Sequence, residues 1–296
     1  MTISNNIIQA EISTHGAELT SLKKDGQEHI WFGDPSFWNR HSPILFPIVG
    51  KVVGNHYTYN GQDFSLPQHG FARDSDFVET AHTDESVTMV LTATPESKTK
   101  YPFDFALKAH YSLDGNRLRC HWTVENNGNG PLWFQIGAHP AFLYRPFEPG
   151  ETVHGFIQLL KKIGDQFIPC NDLVVSALSP DGYLINESTS MHLDSGTLPL
   201  DDHTFANGAL VIEHHQVQKA ILMDPAKKAR LCVSFENAPV LGLWSANKPR
   251  CPFVCIEPWH GRCDKEHFAG DFSQREWINS LPPQQAFSFD YSIELL

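Results

Sequence analysis

Two short stretches of this chain carry residue types that move protons. Pro131-Leu132-Trp133-Phe134-Gln135-Ile136-Gly137-Ala138-His139-Pro140-Ala141-Phe142 presents a histidine followed by proline, and Phe253-Val254-Cys255-Ile256-Glu257-Pro258-Trp259-His260-Gly261 presents a glutamate followed by proline. Leu132, Phe134 and Ile136 share one parity, and Trp133, Gln135, Gly137 and His139 share the other. Val254 and Ile256 likewise oppose Glu257. A period of two predicts strands, each with an apolar core face and a second, more polar face. Proline has no N–H to give a ladder, so each proline is expected to stop its strand just past the acid–base residue. An imidazole and a carboxylate brought together supply an acid and a base for general acid–base catalysis. A nearby anionic Glu257 would favour protonated His139, making the histidine the acid and the glutamate the base. Strand capping or solvation of a rim competes with that reading, because sequence spacing does not decide whether the two residues meet.

Other chemistries have weaker support. In Leu66-Pro67-Gln68-His69-Gly70-Phe71-Ala72-Arg73-Asp74, His69 and Arg73 bracket a glycine and a phenylalanine in a loop after a strand. Such a loop can offer hydrogen-bond donors and an aromatic face to a polyol; a surface pairing of Arg73 with Asp74 or Asp76 is the plainer alternative. Cys251, Cys255, His260, Cys263 and His267 lie close in sequence, but their spacing is not that of a tight zinc knuckle, and Cys255 belongs to an apolar strand. No metal is expected there. Glu213-His214-His215 reads as an exposed strand end. There is no Gly-x-Ser-x-Gly elbow, no Gly-x-Gly-x-x-Gly and no P-loop. Phe71, Phe142, Trp244 and Trp259 suit sugar stacking, although core packing is the commoner fate of aromatics.

The elements that must position these residues are strands. Alternating runs at 7–12, 19–22, 87–93, 105–113, 118–124, 210–212, 220–223, 231–235, 240–244, 253–257 and 287–293 are separated by turn residues such as Asp25-Gly26, Asn60-Gly61 and Asp114-Gly115-Asn116. The segment 42–50 is apolar but broken by prolines, hence irregular or at an edge. The region 148–200 reads as short strands and long loops, and 265–278 could hold a short helix. No repeat, linker or charge block divides the 296 residues, so one all-β domain, 1–296, built as a large antiparallel β-sandwich, is expected. The formal net charge of −12 argues against nucleic acid or an anionic membrane as partner. Residues 1–20 have no basic segment followed by an apolar run, and the cysteines read as reduced thiols, so a cytoplasmic location is expected. Monomer and homodimer both remain open.

At these motifs the chain resembles the aldose 1-epimerase (galactose mutarotase) superfamily, especially its LacX-like branch. The resemblance is carried by His15-Gly16-Ala17-Glu18-Leu19, Pro43-Ile44-Leu45-Phe46-Pro47-Ile48-Val49-Gly50, His69-Gly70-Phe71-Ala72-Arg73, Gly137-Ala138-His139-Pro140-Ala141-Phe142, Asp202-His203-Thr204-Phe205-Ala206-Asn207-Gly208-Ala209-Leu210 and Cys255-Ile256-Glu257-Pro258-Trp259-His260-Gly261. They occur in family order over essentially the whole chain. The resemblance implies a β-sandwich that holds a monosaccharide and interconverts its α- and β-anomers without a cofactor. It implies that His139 protonates the ring oxygen and that Glu257 takes the proton from the hydroxyl on C1. By the same resemblance His69, Arg73 and Asp202 would bind the sugar. One departure stands out: galactose mutarotases carry a sugar-binding arginine in an Asn-Arg motif after the proline-rich segment, whereas Gly50-Lys51-Val52-Val53-Gly54-Asn55 has none. Lys51 lacks the planar, two-pronged geometry of guanidinium. A mutarotase for hexose 6-phosphates and a non-catalytic sugar-binding or sensing protein are the alternatives this leaves.

Overall fold

The computed structural model describes residues 1–144, 146–148 and 150–296. Among these, the strands assemble into a ten-stranded and an eight-stranded sheet, with a four-stranded sheet formed by the N-terminal segment. The ladders are antiparallel. The expected 105–124 hairpin forms with Phe105–Asp114 against Arg117–Asn126, and its inward residues face one another as Leu107↔Val124, Ala109↔Trp122, Tyr111↔Cys120 and Leu113↔Leu118. Ala286–Leu295 continues this sheet. The main core lies between the two large sheets: Leu107, Trp122, Phe289 and Val233 from the ten-stranded one pack with Ile136, Leu241, Val254 and Ile256 from the other. That is the expected sandwich. The six cysteines are buried and unpaired, and no helix among the described residues is long and apolar enough to cross a membrane.

The eight-stranded sheet has a second face turned away from this core, and it carries the chemistry. Phe253–His260 is its central strand, pairing with Val240–Trp244 on one side and with Ile136–Ala138 and Ala141–Leu143 on the other. Two details differ from the sequence reading. Pro258 does not end its strand, which runs on to His260. It has the parity of Ile256, whose N–H goes to the Pro140 carbonyl, so its missing N–H falls on the side where the partner strand is broken between Ala138 and Ala141. Pro140, as expected, lies just past the end of Ile136–Ala138, and a new strand, Ala141–Leu143, begins after it. Gln135, read only as part of a polar face, is fully buried: its side chain accepts from the Val49 N–H and donates to the Glu276 carbonyl.

Elsewhere, 148–200 contains longer strands than expected, including Gly155–Ile163 and Leu184–His192. Leu184–His192 is the edge of its sheet and exposed along most of its length, which erases the alternation a sequence reading needs. Around 265–278 only a 3-10 turn forms, Phe272–Gln274, capped by Asp271. Glu213 is buried in an ion pair with Arg262 rather than exposed.

Two glycines shape the chemical face. The indole of Trp259 lies across Gly137 on one neighbouring strand and Gly242 on the other. A Cβ at Gly242 would sit 2.4 Å from the ring, and one at Gly137 2.5 Å from it. Gly242→Ala is therefore expected to destabilise the fold by about 1–3 kcal/mol through overpacking, measured by denaturant unfolding; a change within about 0.5 kcal/mol, typical of a neutral surface position, would contradict this packing.

Candidate active site

Glu257 sits on the second face of the central strand, opposite Gly242 in register, and is almost fully buried. On its other side the partner strand breaks at His139-Pro140. The two ladder segments keep one register across the break (Gly137↔Trp259, Ala141↔Cys255), which sets His139 opposite Glu257 on the same face, and there His139 Nε2 lies 3.1 Å from Glu257 Oε2. The approach lacks hydrogen-bond alignment: both Glu257 oxygens, His139 Nδ1 and Trp259 Nε1 are buried with no hydrogen-bond partner in the protein. Buried polar atoms of this kind are costly unless they serve a ligand.

His69 joins them from the loop after Gln62–Ser65. Its φ of +65° is uncommon for a residue with a Cβ, and three hydrogen bonds hold it there. Its N–H donates to the Gly50 carbonyl, its carbonyl accepts from the Phe46 N–H, and its Nδ1 accepts from the Gly50 N–H. Gly50 is pressed against Cys263, where a Cβ would come within 2.5 Å, so the histidine rests on a backed support. Because Nδ1 is an acceptor, the ring proton sits on Nε2. His69 is thus a neutral donor, edge-on to His139 with ring centroids 5.6 Å apart.

Trp38 completes the wall. It stacks on the His139 ring at 4.8 Å, and Trp244 meets the same ring edge-on at 5.7 Å. Arg73 is largely buried; it donates to the Gln68 carbonyl at 2.7 Å, and its Nε, which makes no hydrogen bond, is ion-paired with Asp74. The distance to Asp74 is 3.7 Å. Arg40 pairs with Asp74 at 2.7 Å. The residues His69, Arg73, His139, Glu257, Trp38 and Trp244 border one cavity of about 320 Å³, at the lower end of ordinary ligand-site volumes. Asp202 is not brought to it. It borders a small separate cleft, accepting from the Arg250 N–H and lying 3.2 Å from His154.

Burial dominates the electrostatics. It pushes the Glu257 carboxyl well above the usual carboxylate range, with the Trp259 indole opposing. It takes His139 down to about 3, with Arg73 and Arg40 adding repulsion, and it lowers His69 well below the usual value with the help of His139 and Arg73. The protonated, ion-paired His139 expected from sequence is therefore not the resting form. The two tautomers of a His–Glu pair hold the same number of protons, and desolvation favours the uncharged one.

Sequence reading found His69, Arg73, His139 and Glu257 but missed Trp38 and Arg40. Their signal was a loop dense in aromatics, Trp31-Phe32 and Phe37-Trp38-Asn39-Arg40, set just before the proline-rich segment. The zinc-like cysteine and histidine cluster does not converge: His260 packs on Phe287 and Phe289, and His267 is exposed. Among the described residues, one group has metal-binding geometry, namely His139, Cys255 and Glu257. Lys51 donates to the Asp181 carbonyl and does not border the cavity, whereas Arg73 does.

A family model for aldose 1-epimerase matches residues 1–293. The chromosomal LacX protein of Lactococcus lactis is 28% identical, the match covering 99% of this chain and 98% of that one. A galactose mutarotase related enzyme from Lactobacillus acidophilus superposes with a TM-score of 0.91 at 32% identity, over 100% of this chain and 97% of that one. A galactose mutarotase-like protein from Lactobacillus casei gives 0.92 at 28% identity, over 100% and 99%.

With both imidazoles held neutral, NMR of ¹⁵N-histidine-labelled protein should show His69 as the Nε2–H tautomer and neither His69 nor His139 titrating between about pH 5 and 8, a window around the ordinary histidine value. A midpoint near the ordinary value for either ring would contradict the electrostatics.

Proposed function

The chain belongs to the aldose 1-epimerase family, on its LacX-like branch, and from that premise we propose that it interconverts the α- and β-anomers of a monosaccharide with His139 and Glu257 as the acid–base pair. The observation that carries this is the 3.1 Å approach of a buried imidazole and a buried carboxyl on the wall of a sugar-sized cavity. A groove of about 760 Å³ elsewhere is larger, but its lining includes no histidine, and its ionisable residues are three carboxylates and one lysine with no acid–base pair of this kind.

In the proposed step one proton first passes from Glu257 to His139 with the sugar bound, converting the uncharged resting pair into its charged tautomer. Glu257 takes the proton from the hydroxyl on C1, and His139 gives its proton to the ring oxygen as the C1–O5 bond breaks. The products are the open aldehyde and an uncharged pair. Rotation about C1–C2 presents the other carbonyl face, and closure returns both protons. Ring opening thus discharges the pair, and the same burial that disfavours its ions pulls in that direction. His69, as a neutral donor, would hold a sugar oxygen close to His139. Trp38 and Trp244 offer flat apolar faces to the C–H side of a pyranose. Asp202 stays outside this assignment, since it borders the neighbouring cleft.

A second reading has one specific support. Arg73 borders the cavity, its Nε ion-paired with Asp74 but making no hydrogen bond, and its charge is felt at His139. A guanidinium suits an anionic substituent such as the phosphate of a hexose 6-phosphate. Arg262, in contrast, is committed to Glu213 and Glu276 and cannot serve there.

Polarimetry of freshly dissolved α-anomers tests both readings. Wild-type protein should speed equilibration, and His139→Ala and Glu257→Gln should each lose about a hundred- to ten-thousand-fold in rate. Unchanged rates in these variants would overturn the assignment. The phosphate reading requires that 6-phosphates outcompete free sugars and that Arg73→Gln abolish the preference; equal turnover of both would remove it.

A further inference from the structure

We propose that His139, Glu257 and Cys255 form a binding site for a divalent cation of the zinc class, whose occupancy blocks the acid–base pair. The blocking role rests on the function proposed above; the site itself does not.

Cys255 and Glu257 are two residues apart on one strand and so share a face, and Cys255 is in register with Ala141, two residues past His139. The imidazole nitrogen, the thiol sulfur and a carboxylate oxygen lie within 4.8 Å of one another, all three buried. The 3.1 Å between His139 Nε2 and Glu257 Oε2 is close to the roughly 3.3 Å that two ligands at about 2.0 Å subtend at a tetrahedral metal. Both carboxylate oxygens are buried without a hydrogen-bond partner in the protein. Imidazole, thiolate and carboxylate together suit zinc rather than the hard, oxygen-loving cations. A dication against one thiolate and one carboxylate is also neutral overall, which removes the main objection to charge at this depth. Coordination releases the thiol proton and the carboxyl proton to solvent. His139 and Glu257 border the cavity and Cys255 does not, so a cation held by the three would occupy the two side chains that face the sugar. Cation and sugar then compete for the same two side chains.

Cobalt(II) titrated into chelator-treated protein provides the test. A thiolate-to-cobalt band in the near ultraviolet, with the visible bands of four-coordinate cobalt, is expected, and zinc should bleach both. Zinc should slow anomer exchange over the same concentration range, and excess aldose should reverse it. Cys255→Ser and Cys255→Ala should lose the thiolate band and weaken zinc inhibition by at least about tenfold, with metal-free turnover retained. Should neither variant fold, reversal of the wild-type cobalt spectrum by aldose carries the test. Absence of the band overturns the site, as does a band that survives in the Cys255 variants and disappears in Cys263→Ser. A band without slowing of an active protein overturns the blocking role. A band in a protein without anomer exchange supports the site and counts against the proposed function instead.

Discussion

The site depends on one long strand meeting a partner that is broken at the right place. Phe253–His260 keeps its ladder through Pro258 because the proline's missing donor faces the gap at His139-Pro140. The partner keeps its register across that gap, which sets His139 opposite Glu257. Two prolines, each poor in a central strand, are thus tolerated on neighbouring strands two positions apart in register, and the irregularity they share is where the acid–base pair forms. On the reverse side Val254 and Ile256 fill the main core, so the strand cannot slip without exposing them. Register on the core side thereby fixes geometry on the chemical side.

Low polarity is the second constraint, and it acts in one direction throughout. Burial raises the proton affinity of Glu257 and lowers that of His139 and His69. Alone, that would make a poor ion pair. For a reaction that carries one proton off a hydroxyl and delivers another to an ether oxygen, it favours the state in which both transfers are complete. His69 contributes differently. Fixed as a donor by the Gly50 N–H, it serves without changing its own protonation. Trp38 stacks on the His139 ring and restricts its orientation, which suits a site that must give and retrieve the same proton.

How much of this was legible beforehand follows from what periodicity can report. The 105–124 hairpin and the Phe253–His260 strand alternate clearly because each has one face in a core, and both were read correctly in kind. Leu184–His192 was invisible because an exposed edge strand has no apolar face to mark it. Glu213 was read as an exposed strand end, and Gln135 only as part of a polar face, because a sequence does not show which polar residues find buried partners. His139 and Glu257 stood out through their prolines; Pro140 does stop its strand, whereas Pro258 does not. Trp38 and Arg40 come from a loop, where side-chain direction is set by distant contacts such as the Arg40–Asp74 pair. Asp202 carried a motif but not a position: its carboxylate is turned to the Arg250 N–H and His154.

A structure of the protein with a bound aldose tests the central claim most directly. The account predicts one pyranose in the 320 Å³ cavity, its ring oxygen within hydrogen-bond distance of His139 Nε2 and its C1 hydroxyl within hydrogen-bond distance of the Glu257 carboxylate. A sugar seated away from the pair, or one that reaches only one of the two side chains, would contradict it.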